Sequence, residues 1–574
     1  MADYVTTEMS WENMFLRMKI RSSVHGARFM FVKFGDRTYY VPESDTIYKD
    51  GTYDLKINIS SAAGRGFLPD GTWRLVARVD GNAHEVRATF DTAYRFQDLS
   101  RVFRYGEDKA FILTLEPEGG NGECVRGFDT LYDRELDGSI GFIFHSSFMK
   151  RDDDWRDKAS GPRNMIYKTL NDASSREHAP GKNHVLFMTE TKDFIDGNLK
   201  AVYDEVMRQG LDKEYKVSVY ARNDVKNGLG VAGLVRLRSL IADQDIIFVD
   251  DFVPVFTYLD PPEGARLVQL WHACVGFKSV GYSRFGKEGS PHPVWSCHRK
   301  YTDVYVPHEK LRDVYREVFG IEKDAFKVAG SPRLDGFLNE DRIADAKKRI
   351  LAKYPFIEGK RVILFAPTYR GAGERDAYYD ESRLDFRKWA EICRDEKNES
   401  VILIKMHPFI EKKVDIPEEY RDVIYDVSDY PDINELYYLT DILITDYSSD
   451  YFEFALLRKP ILFYAYDLDT YQLLRGVHQD IRDNAPGKVC ETFGELCEAI
   501  KSGDFDIEKT EQFADEYGSV LEQHAAKEII DQVFTARDRQ KETLTEEEAE
   551  TLKNEMSSDE EWDEQKNGNG LLLK

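Results

Sequence analysis

The sequence predicts an α/β protein with two successive Rossmann-like domains facing one cleft, preceded by a small β-sandwich-like domain. Three observations predict it. From His184 onward, short apolar runs alternate with amphipathic helical stretches, the pattern of a parallel sheet with crossover helices. The alternation is interrupted once, at AGSPRLDG (residues 329–336), and then starts again. Before residue 150 there are only short runs of alternating polarity separated by turn signals.

Residues 1–150 form the β-rich accessory domain. RFMFVKFGDRTYYVPES reads as a hairpin around Gly35-Asp36, and FLPDGTWRLVARVDGN carries Asp70-Gly71 ahead of alternating apolar positions. Residues 151–183 are polar and read as a linker with some helix. Residues 184–330 form the first Rossmann-like domain, with VLFMTE, a helix through NLKAVYDEVMRQG, then KVSVYARN, IIFVDDF, RLVQLWHA and DVYVPHE. Residues 331–540 form the second. A helix runs to Tyr354, then come RVILFAPTYR, a helix at FRKWAEICRDE, VILIKMHPF, VIYDVSD, DILITD, ILFYAY and a helical stretch from 508. Residues 541–574 hold eleven acids against four lysines and end in low complexity, so they read as an acidic disordered tail.

Composition narrows the function. With 42% hydrophobic residues the 574-residue chain can bury several cores, and its formal charge of −25 argues against nucleic-acid binding. The six cysteines include no CxxC pair, which fits a reducing compartment and gives no zinc site. The N-terminus lacks a signal peptide's apolar core and no run is long enough to span a bilayer, so a cytoplasmic, soluble or peripheral location is expected.

The informative residues fall at strand ends, where doubly wound sheets bind ligands. His272 follows the strand of LVQLWHACVGFK and is placed to act as a general base, with Lys278 nearby for an anion. His407 ends ILIKMHPF and can donate to a phosphate oxygen. Ser448 and Ser449 open the helix of DILITDYSSDYFEFALL, where free amides can cradle a phosphate; simple helix capping is the bland alternative. Thr368 and Arg370 follow the strand of APTYRG, and Arg333 lies in GSPRLD at the interdomain hinge. Lys278, Arg284 and Lys287 belong to a locally basic stretch, 278–300, that suits a polyanionic acceptor or a membrane surface as well as it suits a solvated loop. No Walker loop, HExxH or metal box is present, and no metal or other cofactor is expected.

Together WHACVGFK, GSPRLDGF, FAPTYRG, IKMHPF, TDYSSDYFEFALLRKPILFY, LLRG (473–476) and APGK (485–488) resemble the CDP-glycerol glycerophosphotransferase family, which includes teichoic acid primases and polymerases. The similarity spans roughly 183–536 in the family's order. It implies a GT-B fold with the nucleotide held mainly by the second Rossmann domain. It also implies His272 as the base of the WHG motif and His407 as the HP-motif histidine on the donor phosphate. Thr368 and Arg370 then match PTxR, and Ser448 and Ser449 the DYSS pyrophosphate loop. Ala273-Cys274 and one extra residue before Lys278 depart from the family's WHGTxxK. The expected reaction moves a polyol phosphate, glycerol phosphate by this resemblance, from a CDP-linked donor to a lipid-linked or polymeric polyanionic acceptor at the cytoplasmic membrane face. A GT-B glycosyltransferase using a nucleotide sugar and a catalytically silent scaffold are the competing readings.

Overall fold

A computed structural model describes residues 4–35, 38–105, 109–118, 139–149, 166, 169–170, 183–223, 229–274, 279–285, 287, 290–293, 296–371, 376–395, 399–522 and 524–535. The linker, Lys278 and the acidic tail therefore lie almost wholly outside the described residues. The chain divides into two compact units. One holds the β-rich segment up to residue 153 together with residues 320–323, and the other holds both parallel sheets.

In the first unit, eleven strands join in one sheet. They are β1 (Tyr4–Glu12), β2 (Phe15–Arg21), β3 (Arg28–Lys33), β4 (Tyr39–Tyr40), β5 (Ser44–Lys49) and β6 (Thr52–Asn58). They continue with β7 (Gly71–Val79), β8 (Asn82–Thr89), β9 (Arg101–Arg104), β10 (Ala110–Pro117) and β11 (Ser139–Met149). The order is β4-β3-β7-β11-β8-β1-β2-β6-β5, with β9 and β10 branching from β11. Because β11 pairs β8 near its start and β7 and β10 further on, the sheet curls rather than breaking in two. Alternation of the apolar residues turns Phe31, Leu55, Ile57, Trp73, Leu75 and Phe144 into one buried face. β3 and β4 pair antiparallel around Gly35, at φ +77°, while Asp36 lies outside the described residues; Asp70 accepts the Phe148 N–H at 2.7 Å where β7 begins.

The second unit contains two six-stranded, all-parallel sheets. The first uses β12 (His184–Thr189), β13 (Lys216–Ala221), β14 (Ile246–Val249), β15 (Arg266–Gln269), β16 (Asp303–Val306) and β17 (Phe326–Val328), in the order β13-β12-β14-β15-β16-β17. The second uses β18 (Arg361–Phe365), β19 (Ser400–Ile404), β20 (Ile424–Asp426), β21 (Ile442–Thr445), β22 (Ile461–Tyr464) and β23 (Lys488–Cys490), in the order β20-β19-β18-β21-β22-β23. Their central strands read as unbroken apolar runs because helices cover both faces; Ile363, Phe365, Ile402, Ile404, Ile442 and Ile444 pack with Trp389 in one such core. The winding direction reverses between β12 and β14 in the first sheet and between β18 and β21 in the second. Crevices for ligands open at such reversals, beyond the carboxyl ends of the strands.

The GSPRLD segment ties the two sheets together. Asn198 gives its side-chain amide to the Trp271 carbonyl at 2.8 Å and accepts from Ser331 Oγ at 3.1 Å and the Arg333 N–H at 3.0 Å. Among the described residues no helix is long and apolar enough to cross a membrane.

Candidate active site

At the reversal of the second sheet, the chain leaving β18 meets the chain leaving β21. The Thr368 N–H donates to Asp446 Oδ1 at 2.8 Å, and both residues are buried. Arg370 completes the junction, donating from Nη1 to Asp446 at 2.8 Å and to the Thr368 carbonyl at 3.1 Å. Its other edge is bidentate on Asp467, at 2.7 and 2.9 Å. Rings of Tyr379, Tyr447, Tyr466 and Tyr471 stand 5.2–5.5 Å from the guanidinium carbon. Burial opposes the charge, yet Asp446 and Asp467 hold Arg370 well above its ordinary pKa. Burial also pushes the Asp446 carboxyl up, against the pull of Arg370. The structure thus commits Arg370 to two carboxylates, and through them it fixes the turn that carries Ser448 and Ser449.

That turn opens the helix Asp450–Ala455. Ser448 is buried and accepts the Asp450 N–H at 3.4 Å; Ser449 occupies the N-cap position with no side-chain cap bond. Asp450, the first residue of that helix, has its carboxyl raised to about 6 by burial and then by Glu453.

His407 follows β19, which lies on the other side of β18 from β21 in sheet order. Its Nδ1 accepts the Phe409 N–H at 3.2 Å, which puts the ring proton on Nε2 in the neutral tautomer. Tyr369 and Phe409 pack on the ring at centroid distances of 4.7 and 4.8 Å. Arg475, from LLRG, binds the Tyr369 hydroxyl at 3.2 Å and the Gly371 carbonyl at 3.0 Å. Lys405, by contrast, is turned away into the carbonyls of Ser428 and Tyr430, at 3.2 and 2.6 Å.

The first sheet presents a matching cluster. At its reversal, Thr191 Oγ1 donates to Asp251 Oδ2 at 3.1 Å. His272, half exposed beyond β15, turns Nδ1 toward the Asp250 carbonyl at 3.2 Å and Asp251 Oδ1 at 3.4 Å. Gln269 braces both chains, donating to the Asp251 carbonyl at 3.0 Å and accepting the Trp271 N–H at 2.7 Å. The turn is tight enough to hold Trp271 at φ +53°, a left-handed conformation unusual for a bulky residue. Its indole lies 4.7 Å from the imidazole, centroid to centroid. Burial, with Asp251 beside it, pushes the Asp250 carboxyl well up.

Arg333 reaches neither histidine among the described contacts; it forms an ion pair with Glu453, on the helix after the Ser448-Ser449 turn. Burial works against Arg333, but Glu453 outweighs it and raises the pKa. Lys287 donates to the Leu473 carbonyl at 2.7 Å, Arg284 ends a short turn of helix at Gly281–Arg284, and Lys278 lies outside the described residues. Sequence reasoning missed Asp251 and Asp467. The first had a signal, two acids at the end of IIFVDDF; the second stands far from Arg370 in sequence and had none. Among the described residues no group of three or more His, Cys, Asp or Glu side chains could hold a metal ion.

Two doubly wound parallel sheets, joined through one hinge and each followed by a histidine near its reversal point, define a two-domain GT-B-like fold. The chain belongs to the family described as CDP-glycerol:poly(glycerophosphate) glycerophosphotransferase, which matches residues 173–535. It is 34% identical over 443 residues to the teichoic acid ribitol-phosphate polymerase TarK of Staphylococcus aureus, covering 76% of this chain and 84% of that one. It is 37% identical over 351 residues to the teichoic acid poly(ribitol-phosphate) polymerase of Bacillus spizizenii, covering 61% of this chain and 56% of that one. A solved structure of the wall teichoic acid polymerase TagF shares the fold, with a TM-score of 0.50 and 20% identity over 69% of this chain and 94% of that one.

Proposed function

We propose that the protein transfers a polyol phosphate from a CDP-linked donor to a hydroxyl of a teichoic-acid-like acceptor, releasing CMP. The observation that carries this reading is the opposite setting of the two histidines. His272 has Nδ1 engaged by Asp250 and Asp251, which leaves Nε2 as the basic atom. His407 has Nδ1 engaged as an acceptor, which leaves Nε2–H as a donor. One suits a hydroxyl that must lose a proton, the other a phosphate that must be held.

In the reaction, the acceptor oxygen bonds to the β-phosphorus while its proton passes to His272. The bond from that phosphorus to the bridging oxygen breaks, and its electron pair leaves with CMP. His407 and the amides around Ser448 and Ser449 hold the pyrophosphate oxygens. The helix behind them is only six residues long, so local N–H groups matter more there than the helix dipole. Arg370 positions this turn through Asp446 and Asp467.

The resemblance names glycerol as the polyol. Both relatives described above carry ribitol in their names, which favours ribitol phosphate as a second reading. The β-rich segment, a curled sheet rather than the expected sandwich, serves as an accessory module, and the acceptor is met at the cytoplasmic face of the membrane by peripheral contact. Donor turnover tests the whole reading: CMP release from CDP-glycerol and CDP-ribitol, and release of the nucleoside phosphate from a panel of nucleotide sugars, are followed, each with a polyol-phosphate acceptor. Release from a CDP-polyol is expected. Release from a nucleotide sugar alone would return the chain to glycosyl transfer, and none from any donor would return it to the scaffold reading.

A further inference from the structure

A cleft of about 400 Å³ opens between residues 279–287 of the first sheet's domain and residues 472–480 of the second's. One wall follows the His272 turn in the chain; the other begins beside Arg475, which holds Tyr369 against His407. Two hydrogen bonds set its width: the Ser279 N–H to the Gly476 carbonyl at 3.0 Å, and Lys287 Nζ to the Leu473 carbonyl at 2.7 Å. The fit at Gly476 is close. It sits at φ +76°, and a Cβ there would lie 3.3 Å from Ser279 Oγ and 3.5 Å from Lys287 Cγ. Only glycine meets both demands.

Resting on the function proposed above, we infer that this cleft is a subsite for the acceptor chain, holding polyol-phosphodiester units behind the hydroxyl that reacts. Its lining matches that chemistry. Ser279, Gln472 and Gln479 offer a hydroxyl and amides for a polyol, while Lys287 and His478 offer N–H donors for a phosphodiester. The volume lies in the range of ligand clefts, and the cleft is open to solvent, as an extended chain requires. Asp480 is the one acid in the wall, and its carboxylate is turned to the Arg482 N–H at 2.9 Å. In a chain of net charge −25 a polyanion needs a local cation, and Lys287 supplies one at the seam of the two domains.

The test uses the full chain without donor, titrated calorimetrically with synthetic poly(glycerol phosphate) and poly(ribitol phosphate) of one, two and three units. Affinity is expected to rise with length and to weaken with salt. Lys287→Met should weaken the three-unit oligomer about tenfold, and Gln479→Leu, on the exposed rim, about threefold. CDP-polyol affinity should stay within about twofold in both. Should Lys287→Met fail to fold for want of its bond to Leu473, Gln479→Leu and His478→Gln decide. Binding that ignores length, or that survives both substitutions unchanged, overturns the subsite. Length-dependent oligomer binding in a chain that releases CMP from no CDP-polyol would sink the proposed reaction and leave the cleft standing.

Discussion

His272 and His407 end comparable strands, yet their neighbours give them opposite hydrogen-bonding characters. A base acts only as the acceptor hydroxyl is deprotonated, so His272→Ala should lose at least about a hundredfold in kcat with donor affinity unchanged. His407→Ala should weaken donor binding as well as rate. Donor calorimetry and CMP release on the same preparations separate the two; loss of donor affinity alone in His272→Ala would refute the base. Asp251→Asn replaces the carboxylate that faces Nδ1. It should cut kcat by about tenfold or more and leave donor affinity alone, because it disturbs only the orientation and tautomer of His272. The placing of both histidines just past apolar strands was legible in the sequence; each stands three residues beyond its strand. The acids ending IIFVDDF were a signal for Asp251, but its pairing with His272 could not be read, because nothing in a linear spacing says that the ends of β14 and β15 lie side by side.

The turn after β21 depends on a residue from the chain leaving β18. Arg370→Leu would leave buried Asp446 and half-buried Asp467 without their cation, a situation that costs about 3–5 kcal/mol when the stranded charge is buried. A fall in Tm of several degrees together with lost donor binding is expected in thermal unfolding and calorimetry. A variant of full stability would show that the carboxylates need no clamp. Asp450, at the first position of the following helix, has a carboxyl held at about 6, raised by burial and then by Glu453; Arg333 and Asp446 also face it. Unfolded, it titrates near 4. Between those values the native state binds the extra proton, so stability from this group is present below about pH 4 and lost as pH rises through 6. Asp450→Asn should therefore melt a few degrees above the parent at pH 7, with the gap closing near pH 4. An equal gap at both values would place the carboxyl in water. The strand ends and the helix start could be read from sequence, but the role of Arg370 could not. A guanidinium after a strand looks the same whether it faces a ligand phosphate or two of its own carboxylates, and Asp467 is a full strand and loop beyond Asp446.

Across the whole molecule, the repeated βα alternation specified two parallel sheets, and GSPRLD marked their junction. What it could not specify was the winding order, and with it the positions of the two reversals, because strand neighbours are chosen by packing of the crossover helices. Nor did short alternating runs show that β11 would join both halves of the N-terminal strands into one curled sheet. The junction itself rests on an ion pair between Arg333 and Glu453. Arg333→Met or Glu453→Leu alone should destabilise by about 3–5 kcal/mol, whereas the double substitution should recover much of that loss. Additive losses in thermal unfolding would mean that the two residues do not act as a pair.

The left-handed turn at Trp271 has a consequence for how the chain can change. A bulky residue in that conformation costs on the order of 1–3 kcal/mol, which glycine would not incur. The indole nevertheless lies against His272 and, at 5.3 Å, against Phe319. At this one codon, selection for an unstrained backbone and selection for turnover favour different residues. A library randomised at position 271 and sorted for soluble expression should drift toward glycine and asparagine, while the same library sorted for CMP release should keep an aromatic ring.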